Sequence, residues 1–213
     1  MKKHIKLSKR GARNLLTGIL IAGASFVNTS YTPKQETIEP YKIKTNPDKR
    51  LERIDWNYNL PDKNYKTSDF STDSDTVLLA RLVFGEARGS SLKEKVSTAY
   101  TAVNRANDTI KWNGENLREA ILKPYQYSCF NKIDPNREKV MNPMKYDSTS
   151  WAQSMKVAEG VLDGTYRDPT GGATHYHTGN ISPYWSKGNK ELTRVNTLED
   201  MDHDYYQPSK KKT

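Results

Sequence analysis

A carboxylate stands where a helix should be burying carbon. In LARLVFGEARG (79–89), Leu78, Leu79, Leu82 and Val83 recur with helical spacing, and Glu86 follows Leu82 by four residues and Val83 by three. That spacing puts Glu86 on the same stripe. A carboxyl on the inner face loses hydration, and near a helix C-terminus it also meets the negative end of the macrodipole, so both effects favour the protonated acid. This is the state needed to protonate a glycosidic oxygen as its bond breaks inside a cleft. The structural alternative pairs Glu86 with Arg81, Arg88 or Arg105, which would hold the carboxylate charged instead.

A second constellation is THYH (174–177). In an extended segment, alternation places His175 and His177 on one face and Thr174, Tyr176 and Thr178 on the other. Two histidines on one face could hold zinc with a third ligand such as Glu86 or His203, which is the chemistry of a metal-assisted amide hydrolase. No helical His-x-x-x-His and no cysteine pair accompanies them. Hydrogen bonds to a polar ligand or to the loop's own backbone are the simpler role, so neither a metal nor a cofactor is expected. The aromatic residues Tyr125, Tyr127, Phe130, Tyr176, Tyr184 and Trp185 lie in loops rather than in helical stripes. There they either cap the core or offer stacking area and a polar tip to sugar faces and N-acetyl groups. Gly171 and Gly172, beside Asp168, lie outside any nucleotide-loop context, and Asp168 reads as a turn former. Cys129 is the single cysteine; it excludes an intrachain disulfide and reads as a small buried hydrophobe rather than a nucleophile.

These residues need elements to position them. Asp73, Ser74 and Asp75 are N-cap types ahead of the Glu86 helix, and Gly89 is placed to end it. Ser90 or Ser91 caps a second helix carrying Leu92, Val96, Ala99, Val103 and Ala106 on one face. A short third helix around Leu117–Leu122 stops at Pro124, and a fourth runs from about Thr149 to Leu162 before Gly164. Residues 168–185 hold two glycines and two prolines around a short alternating stretch, which predicts loop with a small hairpin or extended segment. The result is a compact, mainly helical domain of about 130 residues, long enough to bury a core.

The chain has 213 residues and a formal net charge of +9, room for one ordinary domain plus extensions. Residues 1–30 carry six Lys or Arg and no acid, whereas residues 31–213 hold 28 basic against 25 acidic residues. The charge therefore lies at the ends, no basic groove is evident, and nucleic acid is not an expected partner. The basic start followed by LLTGILIAGASFV (15–27) reads as a signal peptide with a small-x-small site at Ala22 and Ala24, or as an uncleaved membrane anchor. Either reading exports the body, so membrane contact is confined to residues 1–27. Residues 28–72, rich in Pro, Lys, Asn, Thr and Asp, read as a polar linker; 73–207 is the catalytic domain and 208–213 a basic tail.

Taken in order, LARLVFGEARG (79–89), KVSTAYTAVNRAND (95–108), PYQYSCFN (124–131), DPTGGATHYHT (168–178) and PYW (183–185) resemble the SleB-like cell wall hydrolases, the spore cortex-lytic transglycosylase domains. MDHDYY (201–206) echoes the way such domains end, so the resemblance covers about residues 74–206. It implies a mainly α (α+β), lysozyme-like fold, monomeric, acting on the glycan strands of peptidoglycan in a secreted or cell-envelope setting. Glu86, the glutamate of the G-E-A-R-G motif, would be the sole catalytic acid and base of a lytic transglycosylase, with Tyr127, Thr174, His175, Tyr176 and His177 as substrate contacts. The chain lacks the peptidoglycan-binding repeat of the spore enzymes. A zinc-dependent N-acetylmuramoyl amidase using His175 and His177, and a wall-binding module that does not cut, are the alternatives.

Overall fold

The computed structural model describes residue 60 and residues 64–108, 113–188, 191–195 and 201–209. The apolar segment 15–27, most of the polar stretch after it and the final lysines lie outside the described residues. Within them no helix is long and apolar enough to cross a membrane.

Five α-helices and three strands make the fold among the described residues: α1 (Asp75–Ala87), α2 (Leu92–Asn107), α3 (Leu117–Leu122), α4 (Arg137–Met141), α5 (Pro143–Leu162), β1 (His175–Thr178), β2 (Leu192–Arg194) and β3 (His203–Pro208). Ser74 starts α1 by accepting from the Val77 amide at 3.4 Å, the N-cap bond that its type predicts. Every residue from Val77 to Gly85 is buried. α1 is therefore the central rod of the domain, apolar nearly all round, with α2, α3, α4 and α5 packed about it. It ends at Ala87 without a left-handed glycine: Arg88 is still right-handed, and Gly89 is not among the residues with positive φ.

One cation inside this rod ties the domain together. Arg81 is 1% exposed and bonds Asp73 at 2.7 Å, the Tyr65 carbonyl at 2.6 Å and the Val140 carbonyl. Its guanidinium also lies against the Phe70 and Trp151 rings. The stretch read as linker therefore joins the fold before residue 73: Tyr65 and Phe70 are core residues at 4% and 5% exposure.

The fourth predicted helix is the C-terminal part of α5. The helix that begins at Pro143 is interrupted at Asp147, whose φ of −164° and ψ of 90° are extended, and the Asp147 carboxylate caps the turn that follows through the Ser150 amide at 2.9 Å. The short α4 just before it carries too few residues to show a period in the sequence.

The alternating segment is wider than a hairpin. β1, β3 and β2 form an antiparallel sheet with β3 in the middle. Tyr176 pairs with Tyr205 and His177 with Asp204 across β1 and β3, while Thr193 pairs with Gln207 across β2 and β3. The central strand thus comes from the far end of the domain and extends to Pro208.

Candidate active site

Glu86 sits in the last turn of α1, half-buried. Its two oxygens have separate partners: Oε1 accepts from the Cys129 backbone amide at 3.2 Å, and Oε2 accepts from the Tyr176 hydroxyl at 3.1 Å. A cleft of about 370 Å³ opens beside it, lined by residues 85–90 and Asn136. A larger hollow of about 450 Å³ lies at α3; its carboxylate, Glu119, accepts from the Glu115 amide and the Asn116 side chain at 3.0 Å each, so it is occupied in capping.

None of the three arginines weighed as partners reaches Glu86. Arg81 is committed to Asp73. Arg88 donates to Asn136 at 3.3 Å. Arg105 donates to the Thr174 carbonyl at 2.6 Å and lies 4.5 Å over the Tyr127 ring. Among the described residues Glu86 has no ion pair, so the pairing with Arg81, Arg88 or Arg105 is not formed.

The local sequence explains the geometry. A Cβ at Gly85 would meet Cys129 Sγ at 2.6 Å and Cys129 Cβ at 2.7 Å, so only glycine lets the helical turn Ser128–Phe130 sit on α1 and bring its amide to Glu86. The Cys129 thiol is fully buried; burial first, and then the neighbouring Glu86 carboxylate, push it well above its ordinary value. It stays a neutral thiol and a packing group, as its solitary status predicts.

Tyr176 arrives from the sheet. Two side chains of α2 hold its strand: Asn104 donates to the Ala173 carbonyl and to Asp168, both at 2.9 Å, and Arg105 holds the Thr174 carbonyl. Asp168 accepts from the Thr170 and Gly172 amides at 2.8 Å each and is the turn former expected of it. Burial raises the Tyr176 hydroxyl well above the tyrosine range, the Glu86 charge adds to this, and Arg105 opposes it weakly. The hydroxyl is therefore a standing proton donor to Glu86.

The alternation predicted for THYH is present, and it separates the candidates. Tyr176 faces the helices, packing on His203 and Tyr205 with ring centroids 4.9 and 5.7 Å away. His175 and His177 face the other way and cluster with Trp185, 5.2 and 5.6 Å between ring centroids; His177 also lies against Tyr206. Their ring nitrogens meet Thr174 at 2.9 Å, the Thr178 carbonyl at 2.8 Å and Tyr206 at 3.2 Å. Desolvation, with help from Arg105, lowers His175 to about 4, so it is neutral at neutral pH. The third ligand of a zinc site is not brought to them: Glu86 is on the opposite side, and His203 is bound to Glu94. Among the described residues no group of three metal-ligating side chains is assembled.

Tyr127 and Thr174, expected as substrate contacts, are 2% exposed each. They are supports rather than contacts: Tyr127 bonds Thr101 at 3.1 Å and backs the Tyr176 ring at 6.4 Å, while Thr174 carries the carbonyl that Arg105 grips. Of the loop aromatics, Phe130 is buried against Phe70, whereas Tyr125 and Tyr184 stand 89% and 90% exposed.

Glu94 is the residue that sequence reading missed. It is 1% exposed and accepts from the Asp202 amide at 3.0 Å, the Tyr205 hydroxyl at 2.7 Å and His203 Nδ1. Ser91-x-x-Glu94 has capping-box spacing, and Ser91 does cap α2 through the Glu94 amide at 3.2 Å. The Glu94 carboxylate turns inward instead. The legible signal was a polar stripe, Glu94, Thr98, Thr101 and Arg105, beside the apolar one.

A family model described as Cell Wall Hydrolase matches residues 89–201, more than half of the chain. The chain belongs to the cell wall hydrolase family. The hydrolase therefore acts on peptidoglycan, and the match spans the four helices α2 to α5 and the sheet's first two strands. Glu86 precedes its first matched residue by three. Among solved structures, the catalytic domain of the Bacillus cereus SleB protein is similar at 19% identity, covering 67% of this chain and 96% of that one, with a TM-score of 0.45. No curated protein matches the chain.

Proposed function

We propose that this hydrolase is an exported lytic transglycosylase, working as a monomer in the envelope or outside the cell, with Glu86 as its single acid and base. The observation that carries the reading is a half-buried carboxylate at the edge of a cleft, held by one amide and one tyrosine hydroxyl and, among the described residues, paired with no cation. Protonated Glu86 would give its proton to the oxygen bridging N-acetylmuramic acid and N-acetylglucosamine. The bond from the muramoyl C1 to that oxygen breaks, and positive charge develops on the ring. The Glu86 carboxylate then takes the proton of the muramoyl 6-hydroxyl as that oxygen closes on C1, which returns the acid and leaves a 1,6-anhydro sugar. Tyr176 and Cys129 hold the carboxylate for both transfers, and their donated hydrogen bonds stabilise its anionic form after the first.

A retaining hydrolase would need a second carboxylate about 5 Å away as nucleophile. Glu94 is sealed from solvent and Asp168 is saturated by its own loop, so neither is free to serve as that nucleophile. His175, His177 and Trp185 form a polar aromatic face suited to N-acetyl groups of the strand. The test is digestion of purified peptidoglycan by residues 60–213, with products weighed by mass spectrometry. The reading expects fragments ending in anhydromuramic acid and unaffected by a chelator. Reducing-end muramic acid would mean hydrolysis by water, release of stem peptide inhibited by a chelator would mean a zinc amidase, and binding without cleavage would mean a wall-binding module.

A further inference from the structure

Glu94 has no part in the chemistry above, yet it is the most completely buried carboxylate described. Desolvating it is costly, and a buried ion can often be replaced by packed carbon at no loss of stability. What a carboxylate supplies that carbon cannot is direction. Its neighbours on α2 repeat the pattern: Glu94, Thr98, Thr101 and Arg105 follow at helical spacing, all buried at 5% exposure or less.

Each of the four holds something that touches Tyr176. Glu94 gathers Asp202, His203 and Tyr205; Thr98 meets the Tyr205 hydroxyl at 3.2 Å; Thr101 bonds Tyr127; Arg105 lies over Tyr127 and grips the Thr174 carbonyl. The rings so fixed, Tyr127, His203 and Tyr205, surround the ring of Tyr176, whose hydroxyl donates to Glu86.

We propose that Glu94 is a positioning residue for the reaction: by fastening β3 to α2 it sets the ring of Tyr176, and through that ring the orientation of the Glu86 carboxylate. The inference rests on the reading of Glu86 as the acid. Sealed at 1% exposure, Glu94 meets no substrate, so it acts on the rate of the chemical step rather than on substrate binding.

The experiment is a double-mutant cycle on peptidoglycan cleavage, using the full chain and soluble glycan fragments so that kcat and KM are separated. Glu94→Gln keeps an acceptor for Tyr205 but offers His203 and Asp202 a weaker, partly reversed set of partners. It is expected to lower kcat about tenfold or more with KM within about twofold. In a Tyr176→Phe background, where the hydroxyl is already gone, the same substitution is expected to change kcat less than about twofold. Tyr205→Phe carries the same comparison if Glu94→Gln does not fold. A role confined to stability would lower the unfolding midpoint and leave kcat of the folded protein unchanged, or reduce kcat equally in both backgrounds; either result overturns the proposal. Glu86→Gln runs alongside: if it still cuts, the reading of Glu86 fails, whereas an inactive Glu86→Gln beside a fully active Glu94→Gln fails the positioning role alone.

Discussion

Replacing Gly85 by alanine adds one methyl group at the tightest contact between α1 and the turn that serves Glu86. The new Cβ would stand 2.6 Å from Cys129 Sγ, 2.7 Å from Cys129 Cβ and 2.9 Å from Val140 Cγ1. Ordinary carbon contacts begin near 3.5 Å, so the Ser128–Phe130 turn must retreat by about 0.8 Å. Overpacking of this kind costs about 1–3 kcal/mol, which in a domain of this size lowers Tm by about 3–10 °C. The retreat also stretches the 3.2 Å bond from the Cys129 amide to Glu86 beyond hydrogen-bonding range. Misplacing a catalytic group by such a distance costs about a hundredfold in rate. The assays are thermal unfolding and cleavage of glycan fragments. A second substitution, Cys129→Gly, removes both sulfur and Cβ from the contact, and the pair is expected to recover part of the lost rate. If Gly85→Ala keeps wild-type Tm and kcat, the packing of this turn on α1 is not what positions Glu86, and the account of the G-E pair is wrong.

Arg81→Met removes a cation that Asp73 and two backbone carbonyls depend on; a loss of about 3–5 kcal/mol is expected, read as a fall in the denaturant midpoint. Tyr125 holds a φ of 66° with its ring 89% exposed, so Tyr125→Gly relieves strain while losing little packing and should raise stability by about 0.5–1 kcal/mol. His175, lowered to about 4 from 6.5, is neutral when folded but takes a proton when unfolded across that interval. Stability is therefore full above about pH 6.5 and falls as the pH drops towards 4; with its partial exposure the contribution is about 1–2 kcal/mol. In His175→Phe that part of the slope should vanish from unfolding curves measured between those pH values.

How much of this was legible in the residues depends on whether a local pattern encoded it. The Glu86 helix, a cap among Asp73, Ser74 and Asp75, a second at Ser90 or Ser91 and the opposite faces of Tyr176 and His175 follow from short-range spacing, and the caps fall at Ser74 and Ser91. Partner choice is not local. Arg81 lies five residues before Glu86, yet it turns to Asp73 and to carbonyls on distant segments. Tyr127 and Thr174 have polar tips in loop sequence, and α2 buries them. The central strand of the sheet, His203–Pro208, is too short and too far from β1 for alternation alone to pair them. Glu94 looked like half of a capping box because the groups that claim it, Asp202, His203 and Tyr205, are more than a hundred residues away.

The central claim is that one carboxylate performs both proton transfers. Its most direct test is digestion of purified peptidoglycan by wild-type protein and by Glu86→Gln at equal folded concentration, with anhydromuramoyl ends counted by mass spectrometry. Glutamine keeps the size and one acceptor oxygen, for the Cys129 amide or the Tyr176 hydroxyl, but has no acidic proton to give. The account predicts anhydro products from wild type and a loss of at least about a thousandfold in the variant. Equal cleavage by both proteins would contradict it and return Glu86 to the structure.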